Sequence, residues 1–123
     1  MAEEVAGSWQ ALDKLGWKLA CAHYTFRRFP FHEAIEKIAA LGIKVVEPCF
    51  FLPLDKDQPG LVTSEALSAE KRAEMRDRMA KLGISMASFY ANLGNDVEQA
   101  RKVLAFAKEM GSQTIVAEPP PEA

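Results

Sequence analysis

One unit recurs three times along this chain: an amphipathic helix, a glycine, then a short apolar strand. Leu41-Gly42-Ile43 leads into Lys44-Val45-Val46-Glu47-Pro48. Leu82-Gly83-Ile84 leads into Ser85-Met86-Ala87-Ser88-Phe89-Tyr90. Met110-Gly111-Ser112 leads toward Thr114-Ile115-Val116-Ala117-Glu118-Pro119. Glycine enters the left-handed C-cap conformation without a Cβ clash, so each reads as a helix stop. Strands joined through helices pair in parallel by right-handed crossovers. In such folds function gathers at the carboxyl ends of the strands. The first and third repeats each place a Glu-Pro pair there.

Residues 1–16 read as an N-terminal tail in which Ser8 to Leu15 has room for a short helix, and the domain proper is expected over 17–123. Trp17 to Tyr24 is the expected first strand, with Leu19, Cys21 and His23 on one face and Ala20, Ala22 and Tyr24 on the other. Pro30 suits the first turn of a helix reaching about Leu41, with Phe31, Ala34, Ile35, Ile38 and Ala39 as its apolar stripe. Ile43 to Glu47 is the second strand. Phe50 to Thr63 reads as a long loop, because Pro53, Pro59 and Gly60 interrupt regular structure, and such loops often carry function. Ser68 caps a helix to about Leu82, with Met75, Met79 and Leu82 as its buried seam. Ile84 to Tyr90 is the third strand. Asp96 and Gln99 have capping-box spacing ahead of a helix over Val97 to Met110, with Val97, Ala100, Leu104 and Ala107 inward and Val103 and Phe106 flanking. Thr114 to Glu118 is the fourth strand, and Pro119 to Ala123 reads as a loop leading on. A short open sheet with helices on both faces fits this order. So does half of an eight-stranded barrel.

The 123 residues suffice for one domain with a core. Apolar residues make up 49% and charged residues 26%, with a formal net charge of −2. No basic stripe tracks phosphates, which argues against a nucleic-acid partner. No apolar run approaches a membrane span of about 20 residues. Residues 1–16 lack the apolar segment of a signal peptide, so a cytoplasmic location is expected. Cys21 and Cys49 lack zinc-site spacing and read as buried free thiols.

Chemistry-bearing residues fall at the expected strand ends. A partly desolvated Glu47 can act as a base, or orient a sugar hydroxyl or a ligand. Glu118 occupies the same setting and is the tentative metal ligand. His23 ends the first strand and can hydrogen-bond a substrate oxygen, although a lone histidine is as well explained as a hydrogen-bonded interior residue. Tyr24, Phe50, Phe51 and Tyr90 can wall the apolar faces of a sugar, and Asn92 can bind its hydroxyls. Arg27 and Arg28 could grip a phosphate, although adjacent arginines on a loop are usually just solvated. His32, beside Glu33 and Glu36, is expected on the surface. No glycine-rich nucleotide loop is present.

Several segments together resemble the N-terminal half of the sugar phosphate isomerase/epimerase superfamily, whose fold is the xylose-isomerase-like TIM barrel. They are Ala22-His-Tyr-Thr-Phe26, Phe31 through Ile43, Val46-Glu-Pro48, Leu82-Gly-Ile84, Leu93-Gly-Asn-Asp96 and Thr114 through Ala123. The resemblance implies an α/β half-barrel of four parallel strands. It implies a divalent metal, Mn²⁺ or Mg²⁺, and carboxylates (here Glu47 and Glu118) moving a proton next to a carbonyl of a small sugar or sugar phosphate. It also implies that most metal ligands lie on later strands, so the isolated 123 residues are expected to be inactive. The competing expectation is a non-catalytic assembly module that self-associates through open sheet edges. A DNA-repair endonuclease, which shares the barrel type, is disfavoured by the acidic balance.

Overall fold

The computed structural model describes residues 9–119. Helix α1 (Gln10–Leu15) precedes strand β1 (Ala20–Ala22), which passes directly into a 3-10 turn over His23–Phe26. Helix α2 (Phe31–Ala40) leads to β2 (Val45–Glu47), and a hairpin of β3 (Pro53–Asp55) and β4 (Gln58–Val62) follows. Helix α3 (Ala69–Lys81) precedes β5 (Ser85–Met86) and β6 (Ser88–Tyr90). Helix α4 (Val97–Glu109) and β7 (Thr114–Val116) complete the order. Residues 1–8 of the expected tail and Pro120 to Ala123 of the expected exit loop lie outside the described residues.

The glycine stops form as expected. Gly42, Gly83 and Gly111 have φ of 77°, 68° and 86°. After each, the next residue's N–H reaches a carbonyl five residues back: Ile43 to Ile38, Ile84 to Met79, Ser112 to Ala107. Helix α1 ends the same way, with Gly16 at φ 71° and the Trp17 N–H on Leu12 O. The unit therefore occurs four times, and its first copy lies in the segment read as a tail. Trp9 ties that copy down by donating from Nε1 to Leu41 O at 2.9 Å.

The expected half-barrel of four parallel strands does not form, and no barrel closes. The described strands make three small sheets: parallel β1-β2-β5, antiparallel β3-β4, and a separate parallel pair β6-β7. The expected third strand is split at Ala87, its halves pairing with different neighbours. Pro48 follows β2 and has no N–H to extend the ladder. Beyond it only an isolated bridge, Cys49 to Tyr90, links the two parallel groups. The expected loop after Phe50 is the β3-β4 hairpin. Proline and glycine are tolerated there because both strands lie at sheet edges.

The core lies between the helices and the parallel strands. Phe31, Ile35 and Ile38 of α2 are fully buried with Val46, Leu54, Met75, Phe89 and Val103. The Phe89 and Phe106 rings meet edge to face with centroids 5.1 Å apart. Ser68 accepts the Lys71 N–H, and Asp96 accepts those of Glu98 and Gln99, so both expected N-caps form. The Gln99 side chain does not close a capping box; it donates to Glu65 Oε1 at 3.0 Å. Three residues expected inward are exposed: Leu82, Val97 and Leu104, the last two by 67% and 54%. Ala107 is buried as expected, and Val103 and Phe106, expected to flank, complete the buried face of α4. Among the described residues no helix is long and apolar enough to cross a membrane.

Candidate functional site

A concavity of about 490 Å³ opens beyond the carboxyl ends of β1, β2, β6 and β7. Ala22, Tyr24, Glu47, Cys49, Phe51, Tyr90 and Glu118 line it. Glu47 is the last residue of β2, and Glu118 lies two residues past β7. The two carboxylates singled out in the sequence thus converge on one pocket, although their strands belong to different sheets.

One strand holds both of them. Ser88 and Tyr90 are two residues apart on β6, and alternation puts their side chains on the same face. Ser88 Oγ donates to Glu47 Oε2 at 2.5 Å, and the Tyr90 hydroxyl donates to Glu118 Oε1 at 3.0 Å. Neutral hydroxyls fix the carboxylates without cancelling their charge. The Tyr90 phenol pKa is raised, first because its proton is held by Glu118, then by burial and the Glu118 charge. Tyr90 therefore keeps its proton at neutral pH and is a fixed hydrogen-bond donor to Glu118. Cys49 has its thiol pKa raised by burial, opposed by the Phe51 backbone hydrogen bond and helped by the Glu47 charge. A protonated thiol is a poor nucleophile, so Cys49 acts as wall.

Aromatic rings make the rim. Tyr24 and Phe51 meet edge to face at 6.2 Å, Phe51 and Tyr90 at 6.4 Å, and Phe50 sits 5.7 Å from Tyr90. Arg27 lies over the Tyr24 ring at 4.8 Å. Phe50 and Asn92 border a neighbouring concavity, which Tyr90 and Glu118 share with them. The Asn92 side-chain oxygen accepts the Gly94 N–H at 3.0 Å, so Asn92 shapes its own turn. His23 lies elsewhere: it is fully buried, its Nε2 is 2.8 Å from Phe29 O, and its ring edge meets Phe31. Burial lowers its pKa, against the raising effect of the Phe29 carbonyl. The structure makes it an interior brace and does not bring it to the pocket.

The pocket's donor set tests the expected Mn²⁺ or Mg²⁺ ion. Hard cations take six or more oxygen ligands, or keep several waters on one or two carboxylates. Glu47 and Glu118 each already accept a hydroxyl, and Cys49 is a neutral thiol. Among the described residues, the three-ligand convergence of histidine, cysteine or carboxylate groups lies elsewhere, at His32, Asp55 and Glu74. Glu47 and Glu118 therefore supply two oxygen ligands at most, and the rest of an ion's shell would have to be water or further oxygens. Sequence reasoning missed Ser88 and Cys49. The signal for Ser88 was its two-residue spacing from Tyr90.

No protein-family model and no curated protein matches the chain. A crystal structure of an uncharacterized protein from Parabacteroides distasonis ATCC 8503 is similar, at 28% identity and a TM-score of 0.75. The match covers 85% of this chain and 44% of that one, so the chain spans less than half the length of this neighbour.

Proposed function

We propose that the strand-end pocket binds a small sugar or sugar phosphate and that its carboxylates transfer a proton next to the sugar carbonyl, as part of an isomerase or epimerase. The observation that carries this reading is the convergence of Glu47 and Glu118 on one aromatic-rimmed pocket. The C–H faces of a sugar suit Tyr24 and Phe51, and its hydroxyls suit the two carboxylates. In this reading Glu47, oriented by Ser88, takes the proton from the carbon beside the carbonyl, leaving an enediolate, and then returns a proton to a carbon of that enediolate to give the product and restore the carboxylate. Glu118 and Tyr90 hold the neighbouring oxygens. Arg27, stacked on Tyr24, is placed to take a phosphate at the rim. A Mn²⁺ or Mg²⁺ ion on Glu118 would need further oxygen ligands, so the proton transfer is assigned to the carboxylates alone. The test is exchange of the sugar C–H proton with D₂O, followed by NMR over a panel of aldoses, ketoses and their phosphates. Exchange that disappears in Glu47→Gln supports the reading. No exchange and no sugar binding across the panel would overturn it.

A second reading is self-association. The outer edges of β1 and β7 carry no strand partner among the described residues, and Trp17, Tyr24, Phe51 and Val116 are exposed. Such edges and apolar surface recruit further strands. Sedimentation velocity over a hundredfold concentration range decides it: a single monomeric boundary throughout removes this reading.

A further inference from the structure

We propose that His32, Asp55 and Glu74 form a binding site for a divalent transition-metal ion such as Zn²⁺, sharing no residue with the strand-end pocket. The three residues come from three elements: α2, the end of β3, and α3. One ligand atom from each lies within 4.8 Å of the others. His32 Nδ1 is 3.9 Å from Asp55 Oδ2, beyond hydrogen-bond range.

The independent observation is the imidazole itself. His32 is only 4% exposed, yet neither Nδ1 nor Nε2 has a hydrogen-bond partner. Buried polar groups are almost always satisfied, and an orphaned pair of ring nitrogens marks a missing partner. His32 also lines a concavity of about 390 Å³ together with Asp55, Asp57, Glu33 and Glu36 and the cations Lys37, Lys56 and Arg78, which gives an ion a route in. One imidazole nitrogen and two carboxylate oxygens, with a water, make a tetrahedral Zn²⁺ donor set. Bonds of about 2 Å place ligands about 3.4 Å apart, so small side-chain rotations close the cluster.

Cations compete for the same oxygens. Lys71 Nζ is 3.0 Å from Glu74 Oε2, and Arg78 Nη2 is 3.3 Å from Oε1. Both are partly exposed pairs within α3, of the kind that contribute little and release easily. Arg78 also borders the concavity with Lys37 and Lys56. Binding therefore exchanges mobile cations for one ion that ties two helices to the hairpin.

The test uses the full chain stripped with chelator and titrated with Zn²⁺ by calorimetry, with thermal melts at each step. The expected result is one bound ion, a rise in Tm with Zn²⁺ concentration, and a shift of the His32 ring resonances. Asp55→Asn and Glu74→Gln, both near the surface, each weaken binding by more than about tenfold and keep the metal-free fold by circular dichroism. No rise in Tm, or Zn²⁺ affinity unchanged in either variant, overturns the site.

Discussion

The strand-end pocket and the His32 cluster both present two carboxylates, but they are held by opposite means. In the pocket, Glu47 and Glu118 accept bonds from the neutral hydroxyls of Ser88 and Tyr90. In the cluster, Glu74 is paired with Lys71 and Arg78, and Asp55 accepts the Asp57 N–H beside an unpartnered imidazole. Hydroxyl partners leave negative charge in place and lone pairs available to a neutral ligand. Cationic partners cancel the charge until something more strongly charged replaces them. The first arrangement suits proton transfer and hydroxyl binding; the second suits cation exchange. Carboxylates in the two places are thus set up differently because their partners differ.

The largest effects come from crossing the two regions. Glu47→Gln should lower the rate of sugar C–H exchange by about 10²–10⁴-fold, the usual contribution of a positioned base. The same variant should leave the Zn²⁺-dependent rise in Tm intact. Asp55→Asn should do the reverse. If either variant impaired both readouts, the two regions would not be separate.

Next is the hairpin that supplies Asp55. Leu54 is fully buried in the common core. Leu54→Ala should therefore cost about 2–5 kcal/mol in denaturant unfolding, as for other core truncations. A cost below about 1 kcal/mol would mean that β3-β4 is a loosely attached flap. Gly83→Ala should cost about 1–2 kcal/mol, because φ of 68° puts a Cβ against the following carbonyl while nothing else lies within 4 Å of it. An unchanged melting temperature would show that the helix stop does not depend on the left-handed cap.

Acid should weaken the fold from the interior outward. His23 has a folded pKa below its ordinary 6.5, chiefly through burial. His32 is shifted the same way, by burial first and then by Arg78. Above 6.5 both states are neutral and neither histidine affects stability. Below it the unfolded chain takes up protons that the folded chain refuses, so stability falls as pH drops from 6.5 toward the folded values. His23→Gln should flatten part of that slope in urea titrations at pH 7 and pH 5; an equal slope would assign the acid loss to His32 and the carboxylates. The smallest effect is at the α3–α4 contact, where Arg72 and Arg76 meet Glu109 at 2.6 and 3.1 Å. These are partly exposed pairs, so Glu109→Ala should cost about 0.2–1 kcal/mol in thermal unfolding.

Local signals made much of this chain readable. The Leu-Gly-apolar stops, the Ser68 and Asp96 caps and the apolar stripe of α2 each depend on neighbours within one turn, and each forms. The Glu-Pro pairs marked the pocket because strand ends are where parallel α/β folds place their sites. What failed depended on distant partners. Val97 and Leu104 match helical spacing, but the contact with Phe89 turns Phe106 inward and rotates α4 away from that phase. The parallel strands could not be seen to part at Ala87, because the choice of neighbour is made by the whole sheet. Pro53, Pro59 and Gly60 hid a hairpin whose edge position tolerates them. His32 reads as solvated beside Glu33 and Glu36 because nothing local in the sequence shows that the β3-β4 hairpin covers it.

The most direct test is a sugar titration followed by the side-chain carboxyl carbons of Glu47 and Glu118 in a selectively ¹³C-labelled chain. A single cleft predicts that both resonances move together and saturate at one ligand concentration, with Glu74 unmoved. Movement of only one of them, or of neither across aldoses, ketoses and their phosphates, would contradict it.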